Sequence, residues 1–295
     1  MDAGVHGLER SHWTAAAFKV AMKTSLPHLV APALLLTLSA CAGAPTQGQF
    51  LTSYEDLTPR TDMVRAGALD RADKDALAAV QAVRIEPTVF APSTNAKAWM
   101  TPEEQTMMLR EVDAQLCFEL SERFEIAGPD AAPTTPRVRA AVTEVIPTNP
   151  AGSAASAAAG FFIPGPVGVR VPGGLGGLGA EAELLDVANQ QIAAIVWRRT
   201  ATAIGTDNPS LSRIGDALQF VEPFADAAAA TMTPEDHDPR EITAETDPCR
   251  EYGSRFRVEG VGARFVTGLY VPQMSAARAA EAEAPETAPT EPPQP

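Results

Sequence analysis

Residues 180–202 read AEAELLDVANQQIAAIVWRRTAT. AEAELLD and QIAAIVWRRTAT both read as strands, and VANQ between them is short enough to be a hairpin turn. A strand pair with an apolar face must bury that face, so the chain is committed to a sheet with something packed on it. RVRAAVTEVI, at Arg137 to Ile146, adds a strand stopped by Pro147. VRIEPTVF, at Val83 to Phe90, adds another, which Pro87 makes an edge or bulged strand.

The covering layer is legible too. Thr101-Pro102-Glu103-Glu104 is a capping box with proline at the first helical position, and Leu109, Val112, Leu116, Leu120 and Phe124 follow at helical spacing beside Cys117. Ser210 to Met232 carries Ile214, Leu218, Val221, Ala225 and Ala228 on one face and predicts a second long helix kinked at Pro223. LDRADKDALAAVQAV predicts a short helix or turn, and RFRVEGVGARFVTGLYV a small hairpin around Gly260 and Gly262. The expected fold class is α+β: a mostly antiparallel sheet of about four strands, two long helices on one face, a small C-terminal hairpin and disordered tails.

Leu29 to Ala40 is an apolar run of about a dozen residues, against the roughly twenty a spanning helix needs. With Lys23 before it and small residues at its end it has the layout of a secretory signal peptide. Leu38-Ser39-Ala40-Cys41 resembles the lipobox of bacterial lipoproteins. That resemblance implies cleavage before Cys41 and its modification with acyl chains of the palmitate class. Met22 is an alternative start. Ala42, where such lipoproteins carry Asp for inner-membrane retention, implies the periplasmic face of the outer membrane. The expected organisation is a signal peptide at 1–40, a lipidated polar tether at 41–66, one domain at 67–272 with a Gly/Ala/Pro-rich loop at 149–179, and a disordered acidic Pro/Ala tail at 273–295.

The chain carries a formal charge of −14, and its first forty residues hold three basic and two acidic side chains, so the remainder is more acidic still. That argues against nucleic acid as a partner and equally against a polybasic membrane contact. With Cys41 assigned to lipid, Cys117 and Cys249 remain as a disulfide candidate in an oxidising compartment, against the alternative of two buried thiols.

QFLTSYEDLTP, VRAAVTEV and GLGAEAELLDVANQQIAAIVWRR, in that order, resemble a family of Gram-negative lipoproteins known only as a domain of unknown function, over residues 49–232. Members of that family commonly carry Thr-Gly in the hairpin turn where this chain has Ala188-Asn189-Gln190. The resemblance implies an envelope lipoprotein with an α/β domain and brings no catalytic residues.

Other motifs invite chemistry. GLGGLG, Gly174 to Gly179, matches a dinucleotide fingerprint, but Pro172 precedes it and a strand-like segment follows where a helix is needed. His237, between Asp236 and Asp238, is one imidazole in an acidic loop, too little for a closed metal site or a triad. Glu181 and Glu183 share a strand face and could form an acid/base pair, but read better as its solvent side, with Arg198 and Arg199 pairing to them across the hairpin. Trp99 and Trp197 could stack a sugar, and core packing is the alternative. Phe161, Phe162, Ile163, Val167, Val169 and Val171, with Arg170 as the only charge among them, read as a mobile connection or a loop touching a partner or membrane.

The functional expectation is a non-enzymatic accessory module of the cell envelope, anchored through lipid on Cys41 and contacting another envelope protein. No catalytic, cofactor or metal residues are expected. A lipid- or glycan-binding lipoprotein is the second reading and an envelope-polymer hydrolase the third.

Overall fold

The computed structural model describes residues 45–128, 130–162, 168–234 and 237–277. The apolar run, the lipobox with Cys41, residues 163–167, Asp236 and the chain beyond Ala277 lie outside the described residues. The first half comprises β1 (Thr58–Pro59), β2 (Gly67–Ala72), α1 (Lys74–Ala78), β3 (Ala82–Ile85), β4 (Val89–Phe90), α2 (Pro102–Ser121), β5 (Glu125–Ile126) and β6 (Arg137–Ile146). Then follow α3 (Pro150–Phe162), β7 (Gly168–Val169), β8 (Gly177–Leu185), β9 (Gln191–Thr200) and β10 (Ile204–Gly205). The chain continues through α4 (Gly215–Gln219), α5 (Val221–Met232), α6 (Val258–Thr267) and α7 (Pro272–Ser275).

The fold is mixed α/β with a mostly antiparallel sheet. That sheet is larger than expected: its eight strands run β1-β2-β9-β8-β6-β3-β5, with β4 also beside β6. Pairings from β1 through β6 are antiparallel, while β3 and β4 run parallel to β6 and β5 runs parallel to β3. β1, β4 and β5 have two residues each, too short to show any period. β2 takes Leu69 to Ala72 from the segment expected as helix or turn. The helix starts only at Lys74, where the Asp73 carboxylate accepts from the Ala76 N–H at 3.1 Å.

β6, β8 and β9 form where their patterns predict, and the β8–β9 turn holds Asn189 at φ 61°, a left-handed conformation Asn tolerates better than most residues. VRIEPTVF is two strands. Between them the Thr88 N–H leaves the sheet and donates to the Asp113 carboxylate of α2 at 2.8 Å. The α2 capping box is complete: the Thr101 hydroxyl accepts from the Glu104 N–H at 3.2 Å, and the Glu104 carboxylate accepts from the Thr101 N–H at 2.9 Å. The expected kinked helix at 210–232 is α4 and α5, separated at Phe220. Pro223 sits in the first turn of α5, where its missing N–H removes no intrahelical bond.

Strand alternation sorts the sheet into two faces. Leu178, Ala180, Ala182 and Leu184 of β8, with Ala193, Ile195 and Trp197 of β9, join Val112, Leu116 and Leu120 of α2 and Phe224 and Ala228 of α5 in one core. On the other face Ala194 and Val196 pack against Leu51, with Phe50, Tyr54, Leu57 and Leu69 around them. Both faces of β8 are therefore buried, which no single amphipathic layer would do.

Four expected irregular or hairpin segments are ordered differently. The tether is docked on the sheet from Gly48 onward, as described below. The Gly/Ala/Pro stretch at 149–179 contains α3, where the Asn149 side chain accepts from the N–H groups of Ala151 and Gly152 (3.0 and 3.3 Å) before an alanine-rich run of high helix propensity. The predicted C-terminal hairpin is α6. Its Gly260 marks a close approach, since a β-carbon there would come within 2.5 Å of the Ser275 hydroxyl. At the start of the expected tail, Ala276 and Ala277 are buried. The Ala277 N–H donates to the Glu111 carboxylate of α2 at 2.5 Å.

Candidate functional site

The residues best able to do chemistry on sequence grounds are Glu181 and Glu183. Both project from β8 on the face away from the helices, and each is 0% exposed. The expectation that they face solvent is corrected by residues 46–57, a strap laid across that face.

The strap is tied to the two carboxylates by its own backbone. The Gly48 N–H donates to Glu181 Oε1 at 2.5 Å and the Tyr54 hydroxyl to Oε2 at 2.8 Å. Glu183 accepts from the Thr52 N–H (2.8 Å), the Thr52 hydroxyl (3.1 Å) and the Gln191 amide (2.8 Å), and Arg139 Nη1 lies 3.1 Å from Oε1. The Tyr54 oxygen also accepts from the N–H groups of Phe50 and Leu51, closing the strap on itself (2.8 and 3.2 Å). Gly48 is held so close that a β-carbon would run into the Thr143 methyl. Arg139 stacks over the Phe50 ring, 4.9 Å from its centroid.

Burial pushes the Glu181 carboxyl above its ordinary range, against the opposing pull of the Gly48 and Tyr54 donors. The Tyr54 phenol is pushed up to about 12 by burial and by Glu181, so it stays protonated and donates. The pair thus acts as a set of hydrogen-bond acceptors under a cover. A substrate could reach it only by displacing the strap.

Glu183→Ala removes an acceptor from four partly buried donors, the Thr52 N–H and hydroxyl, the Gln191 amide and Arg139, and a hydrogen bond to a charged group contributes about 1.5–3 kcal/mol. The expected outcome is a loss of about 2–4 kcal/mol in urea unfolding and rapid proteolytic cleavage within residues 46–57. Unchanged cleavage and an unchanged midpoint would show that Glu183 does not hold the strap.

The other sequence candidates fall elsewhere. Arg198 and Arg199 do not pair with the glutamates: Arg198 meets Glu144 at 2.6 Å and Arg199 meets Asp207 at 2.5 Å. Trp197 lies in the core with its ring centroid 5.8 Å from that of Phe224, so it presents no face to a sugar. Trp99 is half-buried beneath the Arg213 guanidinium. His237 sits 6.2 Å from the Phe124 ring, and among the described residues no group of three or more His, Cys, Asp or Glu could hold a metal ion. Gly177 to Gly179 belong to β8, not to the start of a helix.

Arg170 is buried, at 3% exposure, and makes a two-pronged pair with Asp216 (2.6 and 3.0 Å). Asp216 also accepts from the Gly176 N–H at 2.7 Å, and Ser156 of α3 accepts from the Val171 N–H at 2.9 Å. Arg170, Val171 and Gly176 of the segment read as a mobile connection are thereby tied to α3 and α4, while residues 163–167 lie outside the described residues. Cys117 and Cys249 are joined by a disulfide, with Cα atoms 5.8 Å apart.

Sequence reasoning missed Gly48, Thr52 and Tyr54 as partners of the glutamates. The available signal was Phe50, Leu51 and Tyr54, which give a supposed tether too much to bury.

The model of a family described as protein of unknown function, DUF3313, matches residues 46–228, a span that begins with the strap and ends within α5. No curated protein matches the chain. Among solved structures it is similar to the PelC dodecamer from Paraburkholderia phytofirmans in space group P6, at 10% identity and a TM-score of 0.33, over 58% of this chain and 99% of that one. A PelC variant dodecamer from the same organism, in space group C2, is similar at 11% identity and a TM-score of 0.33, with the same coverage.

Proposed function

The chain belongs to the DUF3313 family, and from that premise we propose that it is a lipoprotein anchored through Cys41 at the periplasmic face of the outer membrane, acting as a non-enzymatic accessory module that contacts another envelope protein. One observation carries the non-enzymatic part of the reading: the two carboxylates best placed for acid/base work are engaged by the strap. The anchor rests on Leu38-Ser39-Ala40-Cys41 closing a short apolar run. One acyl chain binds a membrane only marginally, whereas several on one cysteine hold permanently. Among the described residues no helix is long and apolar enough to cross a membrane.

Cys41→Ala is expected to move the protein from the outer-membrane fraction to the soluble periplasm, or to stall its processing. Full membrane association of that variant would refute the anchor. In-cell cross-linking of the wild type is expected to recover one envelope protein at near-stoichiometric yield. A second reading, a lipid- or glycan-binding lipoprotein, is favoured by a cavity of about 510 Å³ between α2, α4 and α6, in the size range of ligand sites. A small molecule retained through purification, with no cross-linked partner, would support it instead.

A further inference from the structure

The strap sets how far the folded domain can stand from a lipid on Cys41, and on which side. Gly48 is buried, its N–H bound to Glu181 and its carbonyl accepting from the Ser93 hydroxyl at 2.7 Å. Six residues separate it from Cys41. Fully extended, that leash spans about 25 Å. A domain of about 230 residues has a radius of gyration of about 17 Å, hence a width of about 45 Å. The leash is shorter than the domain is wide.

The side follows from the alternation of β8 and β9. The strap packs on the face of Glu181, Glu183, Ala194 and Val196, while α2 and α5 pack on the face of Ala182, Ile195 and Trp197. α6 lies beyond α2 on the helical side: Arg257, at its N-terminus, pairs with Glu111 of α2 at 3.3 Å. The exposed apolar side chains of α6, Phe265 at 91% and Val266 at 82%, are therefore placed on the helical side of the sheet, opposite the strap.

The charge at the strap's start also fits a bilayer. The chain is acidic as a whole and would be repelled by anionic lipid. Around Gly48, however, a cleft of about 270 Å³ is lined by neutral Thr46, Gln47, Ser93 and Asn95, and its two charged residues, Glu144 and Arg198, are paired with each other. Neutral donors and acceptors suit phospholipid headgroups without a charge penalty.

We propose that the strap side of the sheet is a membrane-contacting surface: the domain lies with the mouth of this cleft against phospholipid headgroups, and α6 points into the periplasm. The inference rests on the lipid-anchor reading and deepens it, replacing a domain held off on a long tether by one lying on the bilayer.

The test uses the lipidated protein, purified from envelopes and reconstituted in phosphatidylethanolamine/phosphatidylglycerol vesicles carrying a traceable phospholipid. A photo-cross-linking amino acid is placed at Gln47, at Asn95 or at Phe265. The first two positions are expected to label phospholipid at least fivefold more than Phe265. Equal labelling from Phe265, or none from Asn95, overturns the orientation. A twenty-residue Gly/Ser insertion after Pro45 should keep the protein on the vesicles and at least halve labelling from Asn95; unchanged labelling would show that the short leash does not set the orientation. The mass of the N-terminal peptide separates the two levels. Acyl chains on Cys41 with labelling from Phe265 defeat the orientation alone, whereas an unmodified cysteine defeats both.

Discussion

Removal of the disulfide, as Cys117→Ala with Cys249→Ala, is expected to lower the unfolding free energy by about 5 kcal/mol. The bridge closes a loop of 132 residues, and the chain-entropy model gives about that figure for a loop of this size. The native state adds a second reason. Within α6 only Gly260 is buried, so little apolar surface holds that region to the domain. Its attachment is the disulfide, a small cluster of Ala114, Phe118, Cys249 and Ala277, the Tyr270 side chain packed against the main core, and a few polar contacts. In those contacts Arg255 reaches the Phe118 carbonyl at 2.8 Å and the Ser121 hydroxyl at 2.7 Å. Urea unfolding of the double variant should show the loss, and limited proteolysis should cut first between Asp247 and Ala277. A loss below about 1 kcal/mol would mean that packing, not the covalent link, holds the segment.

Asp216→Ala is expected to cost about 3–5 kcal/mol, because it leaves the Arg170 guanidinium buried with no counter-charge. The Gly176 N–H loses its acceptor in the same step. The sign of the remedy separates electrostatics from packing. Arg170→Met combined with Asp216→Leu should lose much less than Asp216→Ala alone, since removing both charges also removes their desolvation penalty. If the double variant is as unstable as the single one, the site depends on the shape of the Arg170 side chain and not on an unpaired charge.

Much of the scaffold was legible in local sequence. The α2 capping box, the alternation in β8 and β9 and the proline ending β6 are signals read within a few residues of where they act, and each element forms there. α3 was not legible, because a run of Ala, Gly, Ser and Pro is compatible with a linker. Its Asn149 cap and alanine run are local, but what docks it is a set of polar contacts, Ser153 and Ser156 against Arg170 and Val171, between segments with no common local pattern. α6 was misread for a related reason: Gly260 and Gly262 resemble turn residues, and only the approach of Ser275 explains the first.

The candidate site divides the same way. Sequence alone determined that Glu181 and Glu183 share one face of one strand, because side chains alternate with a period of two in any strand. Whether that face meets water, a substrate or another part of the chain depends on what packs on it. Here the packing segment lies about 130 residues away along the chain, at Gly48 to Tyr54. Its docking combines the backbone N–H groups of Gly48 and Thr52 with the Tyr54 hydroxyl and the Leu51 side chain; the apolar residues signal that the segment is buried, but no local pattern reveals which strand it covers. Tertiary structure therefore decided that two apparent surface glutamates are buried acceptors, and that an apparent tether is part of the domain.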